Sequence, residues 1–407
     1  MGSRGRQVRE GRSPRWLLPL LAVGVLAQTA LHLSRPLVTY RVIGLGGDAF
    51  AVGLVTAAFA VLPLVVALPL GRLTDRLRGL GLLLAGGLLF SAGGTLLMST
   101  TGSLAALAAS SAVLGLGQLV VMFAGQGVIA RWSDDDQLDR FFGFFTAAVA
   151  VGQLFGPLLV GALLGDAAGA DLVAASRTAF WVAAGIALLP LPLVVLIALR
   201  TPRAPRRPAG AAPPPVESTA QLLRHRGVGA GMFASLALLS TVDILTAYLP
   251  LIGERRGISP AVVGVLLGLR AAATISSRLL LGVMLRWRSR EQLIVLSAAG
   301  SAVVLAVVPV AGIGVGGMAA ALVVGGFLLG VGQPLTMSSL ALAVPDNARS
   351  SVLGLRMVAN RVGQVAVPGL AGVVAASAGA AGAWWLSCAV LGVAALVSRR
   401  AAPSSPG

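Results

Sequence analysis

Gly152-Gln-Leu-Phe-Gly156-Pro157-Leu-Leu-Val160-Gly161 returns 211 residues later as Gly363-Gln364-Val-Ala-Val367-Pro368-Gly-Leu-Ala-Gly372. Gly143 and Gly354 precede the two copies at the same offset, and Gly53 and Gly71 recur as Gly264 and Gly282. Leu114, Gly115, Gly117, Gln118 and Met122 return as Leu329, Gly330, Gly332, Gln333 and Met337, offset by 215 because the first half's next loop is four residues longer. Glycine matches come easily in a chain with 53 glycines, but paired Gln and Pro in register do not. The chain therefore reads as two homologous halves.

Each copy sits inside an apolar run long enough to cross a bilayer, which takes about 20 residues. Twelve such runs follow one another, near 16–44, 49–71, 79–100, 103–130, 141–165 and 178–199, then 228–252, 259–285, 291–312, 314–344, 350–376 and 381–398. Hydrophobic residues make up 57% of the chain and charged ones 11%, against about 25% charged in soluble domains, so the surface must face lipid. Abundant glycine with only 5% aromatics suits helices that pack backbone to backbone. The expected fold is an all-α membrane protein of twelve transmembrane helices in two pseudosymmetric six-helix bundles. Parallel repeats of this kind hold their solute site between the halves, near the membrane midplane.

Charge placement orients the chain. All 31 basic residues are Arg, and with both termini inside, 22 of them fall on inner segments against four outside, Arg41, Arg177, Arg255 and Arg256. Arginine-rich inner loops then put both termini in the cytoplasm, in the inner (cytoplasmic) cell membrane. The expected organisation is a basic N-terminus (1–15), a first bundle (16–200), a Pro-, Ala- and Arg-rich linker (201–226), a second bundle (227–398) and a tail (399–407). The arginines before Trp16 resemble a secretory signal, but the repeat needs this segment as its first helix. The net charge of +17 lies between apolar runs, not on a soluble face, which excludes a nucleic-acid groove. Without Lys there is no GxxxxGK phosphate loop, and the single Cys388 leaves no disulfide framework or metal site.

Between the second and third runs stands Gly71-Arg-Leu-Thr-Asp75-Arg76-Leu-Arg78-Gly79, similar to the loop motif G-x-L-x-D-R-x-G-R of the major facilitator superfamily. The chain resembles that family from about residue 15 to 400. The resemblance implies that Gly71, Asp75, Arg76, Arg78 and Gly79 form a gating motif that locks the cytoplasmic side. The second half keeps Gly282 but carries Arg286 where the Asp would fall. Gly152, Gly156, Pro157 and Gly161 look like the family's antiporter motif G-x-x-x-G-P-x-x-G-G, with Val160 replacing one Gly. Gly and Pro thin and bend such a helix for close packing. Gln126-Gly127 is present, but Phe123 stands where relatives often carry an Arg linked to proton transfer.

Of 14 carboxylates, Asp243 is the one placed well inside a run. It lies about 23 Å along its helix, in the outer half, where a charge costs about 2.5 to 3.5 kcal/mol to insert. Arg35 occupies the matching place in the first run, so Arg35 and Asp243 are expected to form an outer gate. Asp243 is either a static partner of Arg35 or Arg270 or the group that carries the coupling proton. His32, one turn before Arg35, is the second proton-coupling candidate or a simple polar contact. Arg270, Arg356, Asn360, Arg361 and Gln364, with Gln118, Gln153 and Gln333, are too polar to face lipid and are expected to line the substrate cavity.

The expected function is secondary active transport of a small organic solute by alternating access, as proton-coupled efflux (antiport). Proton-coupled uptake or facilitated diffusion are the alternatives within transport. With five interior Arg against one Asp, the solute is expected to be neutral or to carry a carboxylate or phosphate. No enzyme is expected, since HExxH, GxSxG and a His or Cys cluster are all absent, and a receptor would not need a mirrored polar lining. The expected partners are the solute, protons and the lipid bilayer, with no cofactor, metal or nucleic acid, in a monomer.

Overall fold

The computed structural model describes residues 14–76, 79–133, 137–200, 219–345 and 348–401. The described residues form helices and their connections, with no strand. The first half holds α1 (Leu17–Gly44), α2 (Ala49–Arg76), α3 (Gly81–Thr100), α4 (Leu104–Trp132), α5 (Leu138–Leu164), α6 (Gly169–Leu188) and α7 (Leu191–Arg200). The second holds the short α8 (Thr219–Arg224), then α9 (Val228–Arg255), α10 (Pro260–Trp287), α11 (Arg290–Leu305), α12 (Val315–Leu342) and α13 (Arg349–Ala401). Ten helical stretches are long and apolar enough to span a membrane.

Local chemistry sets the helix ends. Ser103 accepts from Ala106 N at 3.2 Å to start α4. Ser289 and Gln292 form a capping box on α11, and Pro260 opens α10 where no backbone donor is required.

The structure revises several sequence boundaries. The sixth run starts nine residues earlier, at Gly169, where Asp171 in the first turn complements the helix dipole. It jogs at Leu189 and Pro190 before α7, because Pro190 and Pro192 supply no backbone donor. The linker reading over 201–226 carries the six-residue α8, while 201–218 lie outside the described residues. The ninth run is helical only to Leu305, after which Arg256 donates to the carbonyls of Val308, Pro309 and Val310. The eleventh and twelfth runs are the two arms of α13, broken at Gly379. There φ is 65° and ψ −169°, a conformation essentially reserved for glycine. With α11 and the two arms of α13 each counted once, the architecture is consistent with twelve spans.

Apolar side chains wrap the outside: Leu82 is 84% exposed and Leu279 80%, as a lipid-facing belt requires. Within the first half, α1 packs on α5 and α6, and α4 on α2 and α3. The second half repeats this plan with α9 on α13 and α12 on α10 and α11. Between the halves, α2 lies along α13 and α5 along α10.

Candidate functional site

Small residues permit both of these crossings. A Cβ on Gly53 of α2 would lie 2.5 Å from the Gly372 Cα of α13 and 2.7 Å from the Pro368 carbonyl. A Cβ on Gly264 of α10 would lie 2.6 Å from the Pro157 carbonyl and 2.8 Å from the Gly161 nitrogen of α5. The repeat relates these two contacts residue for residue. They sit at the end of the molecule opposite the termini. There the Thr39 hydroxyl also donates to the Ala247 carbonyl (2.7 Å), Tyr248 Oη to the Ala49 carbonyl (3.0 Å) and the Ala261 amide to the Gly165 carbonyl (2.9 Å). Sequence reasoning missed this seam, although the offset of Gly53 and Gly161 to Gly264 and Gly372 was its signal.

The other two glycines of the antiporter-like helix face α1. A Cβ on Gly152 would meet Gln28 Cβ at 2.5 Å, and one on Gly156 the His32 carbonyl carbon at 2.5 Å. In the second half, Val367 replaces Gly156, and Gly363 meets Leu236 and Ser240 at 2.9 and 3.0 Å. The first half is thus the more tightly packed at this crossing.

Toward the membrane middle from the seam, Arg35 and Asp243 join the halves. Arg35 Nη1 stands 2.5 Å from Asp243 Oδ1. The guanidinium lies over the Phe59 ring at 4.7 Å, a contact that no sequence signal announced. Gln364 Nε2 of α13 donates to Asp243 Oδ2, and Arg361 Nη1 donates to Gln364 Oε1, each at 2.8 Å. One chain of contacts therefore runs Arg35, Asp243, Gln364, Arg361. Beside Arg35 a cavity of about 20 Å³, lined by Val38, Thr56, Phe59, Ser111 and Thr246, has room for about one water. A larger cavity of about 720 Å³ lies beyond the seam, between the α1 end, the α5–α6 connection and the α9–α10 connection.

The remaining cavity candidates divide. Arg356 Nη2 donates to Gln333 Oε1 at 2.9 Å, and Gln333 Nε2 to the Ser235 carbonyl at 3.1 Å. Asn360 is buried with Oδ1 unpartnered among the described residues, and the buried Arg270 packs on Gly326 with Nε unpartnered. His32 is buried near Arg35 and Arg270. Gln118 and Gln153 are half-buried and join none of these networks through a described hydrogen bond. For the gating motif, Gly71, Asp75 and Arg76 lie in the last turns of α2, with side chains outside what is described. Arg78 is outside the described residues, and Gly79 is exposed.

Two repeated bundles around a buried ion pair define a membrane carrier, not an enzyme. The sequence model of the Major Facilitator Superfamily matches residues 18–319, and the chain belongs to that family. No curated protein matches the chain in sequence. Among solved structures, a mutant of the nucleoside transporter NupG superposes with a TM-score of 0.75 at 12% identity, covering 95% of this chain and 99% of that one. A POT family transporter in complex with 5-aminolevulinic acid gives 0.73 at 15% identity, covering 96% and 97%. A bacterial homologue of the human lysosomal transporter Spinster, inward-facing and unoccupied, gives 0.67 at 13%, covering 96% of each chain. At these identities the likeness shows the fold.

Proposed function

We propose that the chain is a proton-coupled secondary transporter of a small organic solute, with Asp243 as the coupling carboxylate. The observation that carries this is the Arg35–Asp243 pair, an ion pair buried between the halves where alternating access must make and break contacts. Loss of the Arg35 partner in one state and its return in the other gives Asp243 two proton affinities. Each proton moving inward through 100 mV supplies about 2.3 kcal/mol, enough for a roughly fifty-fold solute gradient.

The Gly152-Gly156-Pro157 helix, packed on α1, supports export by antiport. A second reading, uptake by symport, is favoured by the arginines gathered around Asp243. Inner-loop arginines support cytoplasmic termini, in which case the closed seam faces outward.

The test is reconstitution in proteoliposomes with an imposed pH gradient. Wild-type protein should accumulate solute, and Asp243→Asn should retain solute counterflow while losing accumulation. Full accumulation by Asp243→Asn would remove Asp243 from the coupling role and pass it to His32.

A further inference from the structure

We infer that the solute is an organic anion bearing a hydrogen-bond donor, and that it binds together with a proton through the Gln364 amide. The inference rests on Asp243 being the coupling carboxylate, and it extends that reading to the substrate class and to the sign of coupling.

The charge balance comes first. Among the described residues that are at least partly buried and lie more than six residues from a helix end, Arg35, Arg270, Arg278, Arg356 and Arg361 accompany one carboxylate, Asp243, whose described ion pair is with Arg35. Arg361 bonds the neutral Gln364 and Arg356 the neutral Gln333. Arg270 is 4% exposed with Nε unpartnered. Buried cations without counter-charge are costly, and a guanidinium offers a planar fork that fits a carboxylate, sulfonate or phosphate. An anionic solute supplies the missing charge. Asn360, one turn before Gln364 on α13, holds an unpartnered buried acceptor, which calls for a hydroxyl or amino donor on the same molecule.

The relay comes next. Asp243 is faced by Arg35 from α1, Arg270 from α10, and Gln364 and Arg361 from α13, with His32 of α1 near Arg35 and Arg270. Gln364 has a single amide, with its nitrogen on Asp243 and its oxygen on Arg361. An anion that draws Arg361 away removes the bond holding the amide in place and sets a second negative charge beside Asp243. Both changes favour the protonated carboxyl. By reciprocity, a protonated Asp243 releases Gln364 and Arg361 to the anion. Anion and proton therefore share a direction, which selects symport over antiport.

The probes are three molecules with one hydroxyethyl body: isethionate, an anion that does not titrate near neutrality, the neutral 2-(methylsulfonyl)ethanol, and choline. Binding to the full-length protein in detergent is measured from pH 8 to pH 6. Isethionate should bind at least tenfold more tightly than the other two, and Arg270→Gln and Arg361→Gln should each lose that preference. Its affinity should rise as pH falls, by at most about tenfold per unit for one linked proton. The rise should vanish in Asp243→Asn and flatten in Gln364→Leu, whose side chain keeps the volume without the relay.

Preference for choline or the neutral sulfone, or no binding of isethionate, overturns the anion assignment. A flat isethionate affinity in a protein whose ΔpH-driven transport still needs Asp243 overturns the linkage and leaves the coupling reading standing. Undiminished ΔpH-driven transport in Asp243→Asn brings both down.

Discussion

Gly53 and Gly372 touch across the two halves so closely that Gly53 has no room for a side chain and Gly372 little, and the repeat places Gly264 against Gly161 in the same way. Because a Cβ on Gly53 would come within 2.5 Å of the Gly372 backbone, any larger residue must push α2 away from α13. Backbone has no rotamer through which to yield.

Gly53→Trp is therefore expected to hold that end of the molecule open. Spin labels at the start of α2 and at the Gly379 break of α13 should move apart by several ångströms, with transport strongly reduced and the helical content unchanged. Labels that keep the wild-type distance would show that the seam absorbs the ring without opening.

Gly156 tests packing within one half. A Cβ there would strike the His32 carbonyl carbon at 2.5 Å, so Gly156→Leu overpacks α1 against α5 at a cost of about 1 to 3 kcal/mol. The equivalent Val367 already carries a branched side chain, so Val367→Leu should cost less. Thermal unfolding in detergent should rank the two in that order, and equal midpoints would remove the distinction between the halves.

How legible was this in the sequence? The bundle count and the two-fold plan were, because span length and a repeat in register are local properties of the chain. Asp243 and Arg35 were legible as a pair because charges this deep in apolar runs are few and must find each other. Arg256 was not. As a residue just past a helix it scored only as an outside charge, whereas its guanidinium collects the carbonyls at the end of α11, a partner 52 to 54 residues away. Phe59 beneath Arg35 was equally hidden, since an aromatic residue in an apolar run carries no mark of the cation above it. The place of Gln364 between Asp243 and Arg361 needed both ends of its amide to be seen.

That cap yields a prediction of its own. Arg256 Nη2 donates to Pro309 O at 2.7 Å and Val310 O at 3.0 Å, carbonyls that the turn after α11 leaves without helical partners. Arg256→Gln removes the fork and should destabilise the α11–α12 connection by about 1 to 3 kcal/mol. Hydrogen exchange should quicken over residues 306–314 and remain unchanged across α1 to α6. Uniform acceleration would mean that the loss is global.

The Arg35–Asp243 pair is the last case, and its energetics separate a gate from a static strut. Asp243 is 3% exposed and Arg35 11%, so removing one leaves the other as a largely buried, uncompensated charge, which costs up to about 3 to 5 kcal/mol. Arg35→Gln strands the carboxylate and Asp243→Asn strands the guanidinium, although Phe59 still lies under Arg35 to soften the second loss. The double variant buries no ion at this place and should recover much of the stability lost by either single change, giving a coupling energy of about 0.5 to 3 kcal/mol in a mutant cycle. Because the pair links α1 to α9 across the halves, its loss should also shift the conformational equilibrium toward opening at the seam. Distances between labels on the α1 and α9 ends, measured in the same four proteins, read this directly. A cycle with no coupling and no change in label distance would make the pair a bystander to both stability and gating.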